Sequence, residues 1–276
     1  MALILTLAVA LAPAPASAGA TADARVALVI GNGRYVSTAR LPNPPNDARA
    51  VSQVLRGLGF EVTEVIDADR ARLEHEVRRF RDALRGATAS IFFYAGHGLQ
   101  IDGENYLVPI DASFEESADI ASRLIGLSGV LAAAETGPKV NLLFLDACRN
   151  NPLADALKQT ISQRSRSMTL DGVRPIRSVG QGLAEMKAGI GTLIAYATSP
   201  DNVAEDGQGR HSPFTQAFLR HIREPGLEVR QFLTKVRLDV VKDTDRRQVP
   251  WDHSSLTENF YFIPPVKPRP VPMPPP

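Results

Sequence analysis

Cys148 is the only cysteine in the 276 residues, and it stands in the run LLFLDACRNNP, from Leu142 to Pro152. Leu142 to Asp146 read as a buried strand, and a loop-like Arg-Asn-Asn-Pro follows the cysteine. His97 has a similar setting: it lies between Gly96 and Gly98, just after the apolar IFFYA. A cysteine nucleophile needs a base or a cationic neighbour to populate its thiolate. Histidine titrates near neutrality, so it can take the thiol proton and return it to a leaving amine. Gly96 and Gly98 would let the backbone approach a substrate carbonyl, and the N–H groups of Gly98 and Cys148 are candidate oxyanion donors. A lone free cysteine is often only a small buried hydrophobe. A lone histidine is usually a surface or packing residue, as His75, His211, His221 and His253 are read here. On residue types and positions alone, an inert pair and a Cys–His site stay equally open.

Such a pair needs a scaffold that carries both residues to one edge. Val26 to Ile30 is a continuous apolar run ending in Gly31-Asn32-Gly33, as a buried parallel strand does; ASIFFYAGHG, VNLLFLD and GTLIAYATS read the same way. Phe60 to Ile66 alternates as a strand. Helical spacing of apolar residues predicts helices over 47–58, 70–84, 128–135, 212–221 and 227–242. LQIDGENYLVP predicts a hairpin turning at Asp102-Gly103, and ENFYF a late strand. The alternation implies an α/β fold, with a mostly parallel central sheet of about six strands and helices on both faces. Functional residues of such sheets lie beyond the carboxyl ends of the strands. That rule selects residues 31–33, 96–98, 146–148 and 198–199.

Lys plus Arg total 31 and Asp plus Glu total 30, a net charge of +1 that gives no signal for nucleic acid. Residues 2–11 form an apolar run whose one polar residue is Thr6, too short to span a bilayer as a helix. Ala16-Ser17-Ala18 fits a small-x-small cleavage site. No Lys or Arg precedes the run, yet the segment reads as a signal peptide over residues 1–18. The expectation is export, periplasmic or secreted, with no stable membrane anchor after cleavage. In an oxidising compartment a single cysteine cannot close an intramolecular disulfide. Residues 153–188 are polar and basic and read mostly as a mobile linker; residues 264–276 read as an extended Pro-rich spacer. Gly31-x-Gly33 lacks the third glycine of a dinucleotide loop. Asp201 to Gly209 fails EF-hand spacing, and no zinc spacing occurs, so no metal ligands are assigned.

YAGHG followed 51 residues later by DACRN resembles the caspase-type cysteine peptidases, whose signature holds Ala-Cys with a histidine about 50 residues upstream. The chain departs from caspases at Asp146, where they carry Gln, and at Asn150, where they carry Gly. An aspartate two residues before the cysteine is instead the metacaspase pattern. VALVIGNGRY, PNDA and LIAYATSP also resemble segments of that group, so the likeness runs from about Arg25 to Ile263.

The resemblance, which is nearest to bacterial caspase-domain proteins of peptidase family C14, implies a caspase–hemoglobinase fold and a Cys148–His97 dyad acting on polypeptide substrates. It implies that Asp47 and Asp146 line the primary specificity pocket. Two carboxylates there would favour cleavage after Arg or Lys. Arg164, Arg166, Arg174 and Arg177 lie where such enzymes are processed and are candidate self-cleavage points. No cofactor is expected to be required, and the sequence identifies no ligands for the calcium that some metacaspases need. The alternative is a catalytically silent caspase-fold module that binds partners.

Overall fold

The structure of the chain, a computed structural model, describes residues 24–113, 121–147, 154–155, 157–159, 176, 178–180, 182–200 and 202–266. Cys148, the four candidate processing arginines, the apolar N-terminal segment and most of the Pro-rich tail lie outside the described residues.

Four apolar runs form the parallel strands of the main sheet: β1 (Arg25–Gly31), β3 (Ala89–Gly96), β7 (Val140–Ala147) and β9 (Thr192–Tyr196). Every residue of β3, β7 and β9 is buried. That double-sided burial is why these strands read as continuous hydrophobic segments. β2 (Phe60–Ile66) is an edge strand and alternates. At the opposite edge lies β10 (Trp251–Ser254), so that the sheet order is β10-β9-β7-β3-β1-β2, with only β10 antiparallel. The late strand is therefore WDHS and not ENFYF. Tyr261 makes only an isolated bridge to Glu228, while Phe260 and Phe262 turn into the core.

Two helical layers cover the sheet. On one face α1 (Pro44–Gly57) packs with α4 (Pro213–His221) and α5 (Val229–Asp243). Phe218 of α4 is fully buried, edge-on to Phe144 at 5.0 Å and Phe232 at 5.2 Å. Truncating such a ring to Ala costs about 3–5 kcal/mol. On the other face α2 (Arg70–Ala83) and α3 (Leu127–Ala134) bury Leu73, Phe80, Val130 and Ala134 against Leu28, Phe92 and Leu143. The first helix begins at Pro44, ahead of the predicted Asp47, because proline suits a first turn whose N–H groups lack helical partners.

A small second sheet has the order β6-β5-β4-β8. β4 (Gly98–Ile101) and β5 (Glu104–Leu107) form the predicted hairpin, with Asp102 and Gly103 both at positive φ. β6 (Ile125–Gly126) extends it on one side. On the other side is β8 (Val179–Gly180), which comes from the segment predicted to be a mobile linker. Ala154, Leu157, Val179 and Leu183 of that segment are buried, so its described parts are packed against the body of the fold. These apolar residues anchor a stretch rich in arginine and serine. Among the described residues, no helix is long and apolar enough to cross a membrane.

Candidate active site

The register of the central strands sets the site. β3 pairs with β7 so that Ala95 faces Asp146 and Gly96 faces Ala147. The next residues in sequence are His97 and Cys148. Gly96 has φ +155°, and a Cβ there would stand 2.7 Å from the hydroxyls of both Tyr35 and Tyr94. Only glycine leaves room for the two tyrosines.

Those tyrosines hold the His97 backbone. The His97 N–H donates to the Tyr35 hydroxyl at 2.7 Å, and the Tyr94 hydroxyl donates to the His97 carbonyl at 2.8 Å. The Tyr35 ring also packs on the imidazole, with centroids 4.5 Å apart. His97 is 1% exposed. Its Nε2 lies 2.9 Å from the Ala39 carbonyl oxygen. A carbonyl only accepts, so Nε2 carries the proton and Nδ1 is the basic nitrogen of the neutral ring. Gly98 opens β4; a Cβ there would lie 3.3 Å from the Cβ of Ala147. The candidate oxyanion residue thus touches the strand end that precedes the cysteine.

The two predicted pocket carboxylates come together around α4. Asp47 stands in the first turn of α1 and Asp146 near the end of β7, and both are completely buried. The backbone N–H of Ser212 lies 3.3 Å from Asp47 Oδ1, and its hydroxyl donates to Asp146 in a short contact. Thr215 Oγ1 donates to the same Asp146 oxygen at 2.8 Å. His211 Nδ1 lies 2.8 Å from Asp47 Oδ1, and since a carboxylate only accepts, the ring nitrogen donates. Ser212 also caps α4 by accepting the Thr215 N–H at 2.9 Å. His211, read from sequence as a surface or packing residue, instead partners a candidate pocket carboxylate, and the sequence assigns Ser212 and Thr215 no role in the site. The one available signal was the Ser-Pro pair that opens α4, a helix-start pattern.

Close approach fixes the depth of α1. A Cβ on Gly31 would lie 2.3 Å from the Pro44 carbonyl oxygen and 2.7 Å from the Ala48 Cβ. A loop covers the far side: Asn43 Nδ2 donates to the Asp206 carbonyl at 2.6 Å, and Gln248 Nε2 ties the end of the β9 segment by donating to the Ala197 carbonyl at 2.7 Å. Among the described residues, no group of three or more His, Cys, Asp or Glu side chains could hold a metal ion.

The chain resembles known proteins over most of its length. The sequence model of the caspase domain, peptidase C14, matches residues 24–261. The chain belongs to the caspase domain family. Among curated relatives, mucosa-associated lymphoid tissue lymphoma translocation protein 1 of Homo sapiens is 29% identical over 167 residues, 58% of this chain and 20% of that protein. Caspase-1 of Rattus norvegicus is 24% identical over 251 residues, 87% of this chain and 60% of that protein. The chain therefore spans about a fifth of the length of the first relative and less than two thirds of the second. The crystal structure of caspase-1 from Spodoptera frugiperda superposes with a TM-score of 0.60 at 19% identity, covering 93% of this chain and all of that one. That likeness shows the fold. In this caspase domain the six-stranded, mostly parallel sheet with helices on both faces is the expected architecture.

Proposed function

We propose that the protein is a cysteine endopeptidase that cleaves polypeptides after Arg or Lys. Cys148 attacks the scissile carbonyl while His97 Nδ1 takes the thiol proton. The tetrahedral intermediate collapses to a thioester as the amine leaves with a proton from His97. Water, deprotonated by the same nitrogen, then releases the acid and restores the thiol. Donors in the strand-end loops, Gly98 N–H among them, stabilise the oxyanion.

The observation that carries this reading is the fixed ring of His97, whose Nε2 is committed to the Ala39 carbonyl, directly after a strand paired with the one that precedes Cys148. Membership of a peptidase family supports the same reading. The basic preference rests on Asp47 and Asp146, which meet at Ser212. In the state described, His211, Ser212 and Thr215 occupy these carboxylates, so a substrate cation would enter by displacing the His211 ring from Asp47. We further propose export, with cleavage after Ala18, because residues 2–18 carry an apolar run and a small-x-small site.

The test is a fluorogenic Arg-amide assay on mature protein, with an Asp-amide control and a Cys148→Ala blank. Cys148-dependent release from the Arg substrate alone is expected. Absence of Cys148-dependent hydrolysis with either substrate would instead mark a silent binding module. N-terminal sequencing of the exported chain should begin at Gly19.

A further inference from the structure

The loop that supplies Ala39 folds back on itself, with the Leu41 N–H donating to the Gly33 carbonyl at 3.0 Å. Between this loop and the start of α1 lies a cavity of about 400 Å³. Three arginines line it, Arg34, Arg40 and Arg49, against one carboxylate, Asp67. That carboxylate is already engaged: Oδ1 accepts the N–H groups of Gly33 at 2.8 Å and Arg34 at 2.9 Å, and Oδ2 lies 3.5 Å from Arg34 Nε. Arg49 donates to the Pro45 carbonyl at 3.3 Å. Among the described residues, neither Arg40 nor Arg49 is paired with a carboxylate.

Arginines scattered over a convex surface are simply solvated. Here they converge on one concavity with a net excess of positive charge, and that geometry suits a carboxylate oxygen pair. The location gives the cavity a role. Arg40 directly follows Ala39, whose carbonyl holds His97, and the lining residue Asn46 directly precedes Asp47. Two lining residues are thus chain neighbours of the residue that anchors His97 and of one candidate pocket carboxylate.

We infer that this cavity is a second substrate subsite, which takes the side chain of an Asp or Glu close to the cleaved Arg or Lys. The inference rests on the proposed peptidase reading for the identity of the occupant. It makes the preferred substrate a segment of mixed charge, with the cation read by Asp47 and Asp146 and the neighbouring anion by Arg40 and Arg49. Opposite charges in adjacent subsites also reject uniformly basic peptides.

The test uses the full mature chain carrying Cys148→Ala and fluorescent peptides with one central Arg. Each flanking position carries Glu in one peptide and Gln in its match. At one position Glu should tighten binding about tenfold over Gln, the scale of a charge-assisted hydrogen bond. In Arg40→Gln/Arg49→Gln the ratio at that position should fall towards one, while the ratios at other positions stay as they were. No position favouring Glu, or a preference that survives the double substitution, overturns the inference. Inorganic phosphate should compete with the Glu peptide more than with the Gln peptide; equal competition with both would make the cavity a free-anion site and also overturn it. Turnover is read separately on the chain with intact Cys148. Preference without turnover overturns the peptidase reading and keeps the subsite, and turnover without preference does the reverse.

Discussion

The Nε2 atom of His97 lies 2.9 Å from the carbonyl oxygen of Ala39, and this contact decides which nitrogen of the neutral ring carries the proton. Nε2 must hold its proton to make the bond, so Nδ1 carries the lone pair. His97→Gln should therefore lower Cys148-dependent hydrolysis by about 10²–10⁴, the usual contribution of a general base. The rate of Cys148 alkylation at pH 7 should fall with it. Far-UV circular dichroism should be unchanged, because the Tyr35 and Tyr94 hydrogen bonds reach the His97 backbone, which the substitution keeps. Wild-type turnover in the variant would remove His97 from the mechanism.

Tyr35 gives a prediction that separates positioning from stability. Its hydroxyl accepts the buried His97 N–H at 2.7 Å. Tyr35→Phe leaves that N–H without its acceptor, which costs about 1–3 kcal/mol. Denaturant unfolding should register this loss. If the tyrosine also aims the imidazole, kcat should fall while KM for an Arg-amide stays nearly constant.

Asp146→Asn keeps the size of the side chain and its place beside Ser212 and Thr215, yet removes its charge. We expect kcat/KM for an Arg-amide to fall about ten- to hundredfold, on the scale of a lost charge-assisted contact. The ratio of Arg-amide to Gln-amide hydrolysis should flatten. Asp47→Asn should act in the same direction. Unchanged selectivity in both variants would make the carboxylates structural, serving only to hold Ser212 and Thr215 at the start of α4.

On the outer helices, His221 links Glu224 and Asp239, with Nε2 at 2.9 Å from the latter. The Lys235 and His221 hydrogen bonds hold the Glu224 carboxyl below its ordinary value of 4.5. Asp239 also titrates below its ordinary 3.8: partial burial pushes it up, but the His221 and Arg220 hydrogen bonds outweigh that. Folded-state values below the unfolded ones mean that these carboxylates add stability above pH 4–4.5. That stability is lost as pH falls through their folded values. Both groups are only partly buried, and solvent screening keeps the effect small. Melting temperature should drop less steeply below pH 4 in Glu224→Gln/Asp239→Asn than in wild type, with differential scanning fluorimetry as the measurement.

Mature protein incubated alone should be cut after one or more of Arg164, Arg166, Arg174 and Arg177, as intact-mass spectrometry would register. Cys148→Ala should remain whole. A chain that stays intact in both forms would rule out self-processing.

Much of the fold was legible because the parallel strands are buried on both faces, and VALVI, SIFFY and LLFL have no other good explanation. The late strand was not. ENFYF has the aromatic content of a strand, but Phe260 and Phe262 fill the core beneath α4 and α5, and WDHS takes the edge position. The packed parts of the 153–188 segment were hidden because its buried apolar residues are few and follow no strand or helix spacing over a stretch rich in arginine and serine. His97, Asp47 and Asp146 were visible as strand-end residues or through a family resemblance. Their partners were not: His211 meets Asp47 across 164 positions of sequence, a distance at which no local pattern survives. The arginine-lined cavity was equally silent, since Arg34, Arg40 and Arg49 converge only through the folding back of the 33–41 loop.

Gly31 touches no substrate in any of these schemes, yet a Cβ on it would press into the Pro44 carbonyl and the Ala48 side chain. A methyl group at this point would lift the whole start of α1 away from the sheet. Asp47 rides on that helix, and Asn46 and Arg49 ride with it. The loop through Ala39 leads directly into the same first turn. One hydrogen-sized clearance therefore sets the placing of Ala39, Asp47 and the arginine cleft together, so under the proposed function a lesion here should blunt rate and selectivity in a single stroke, without altering any of the residues assigned to the chemistry.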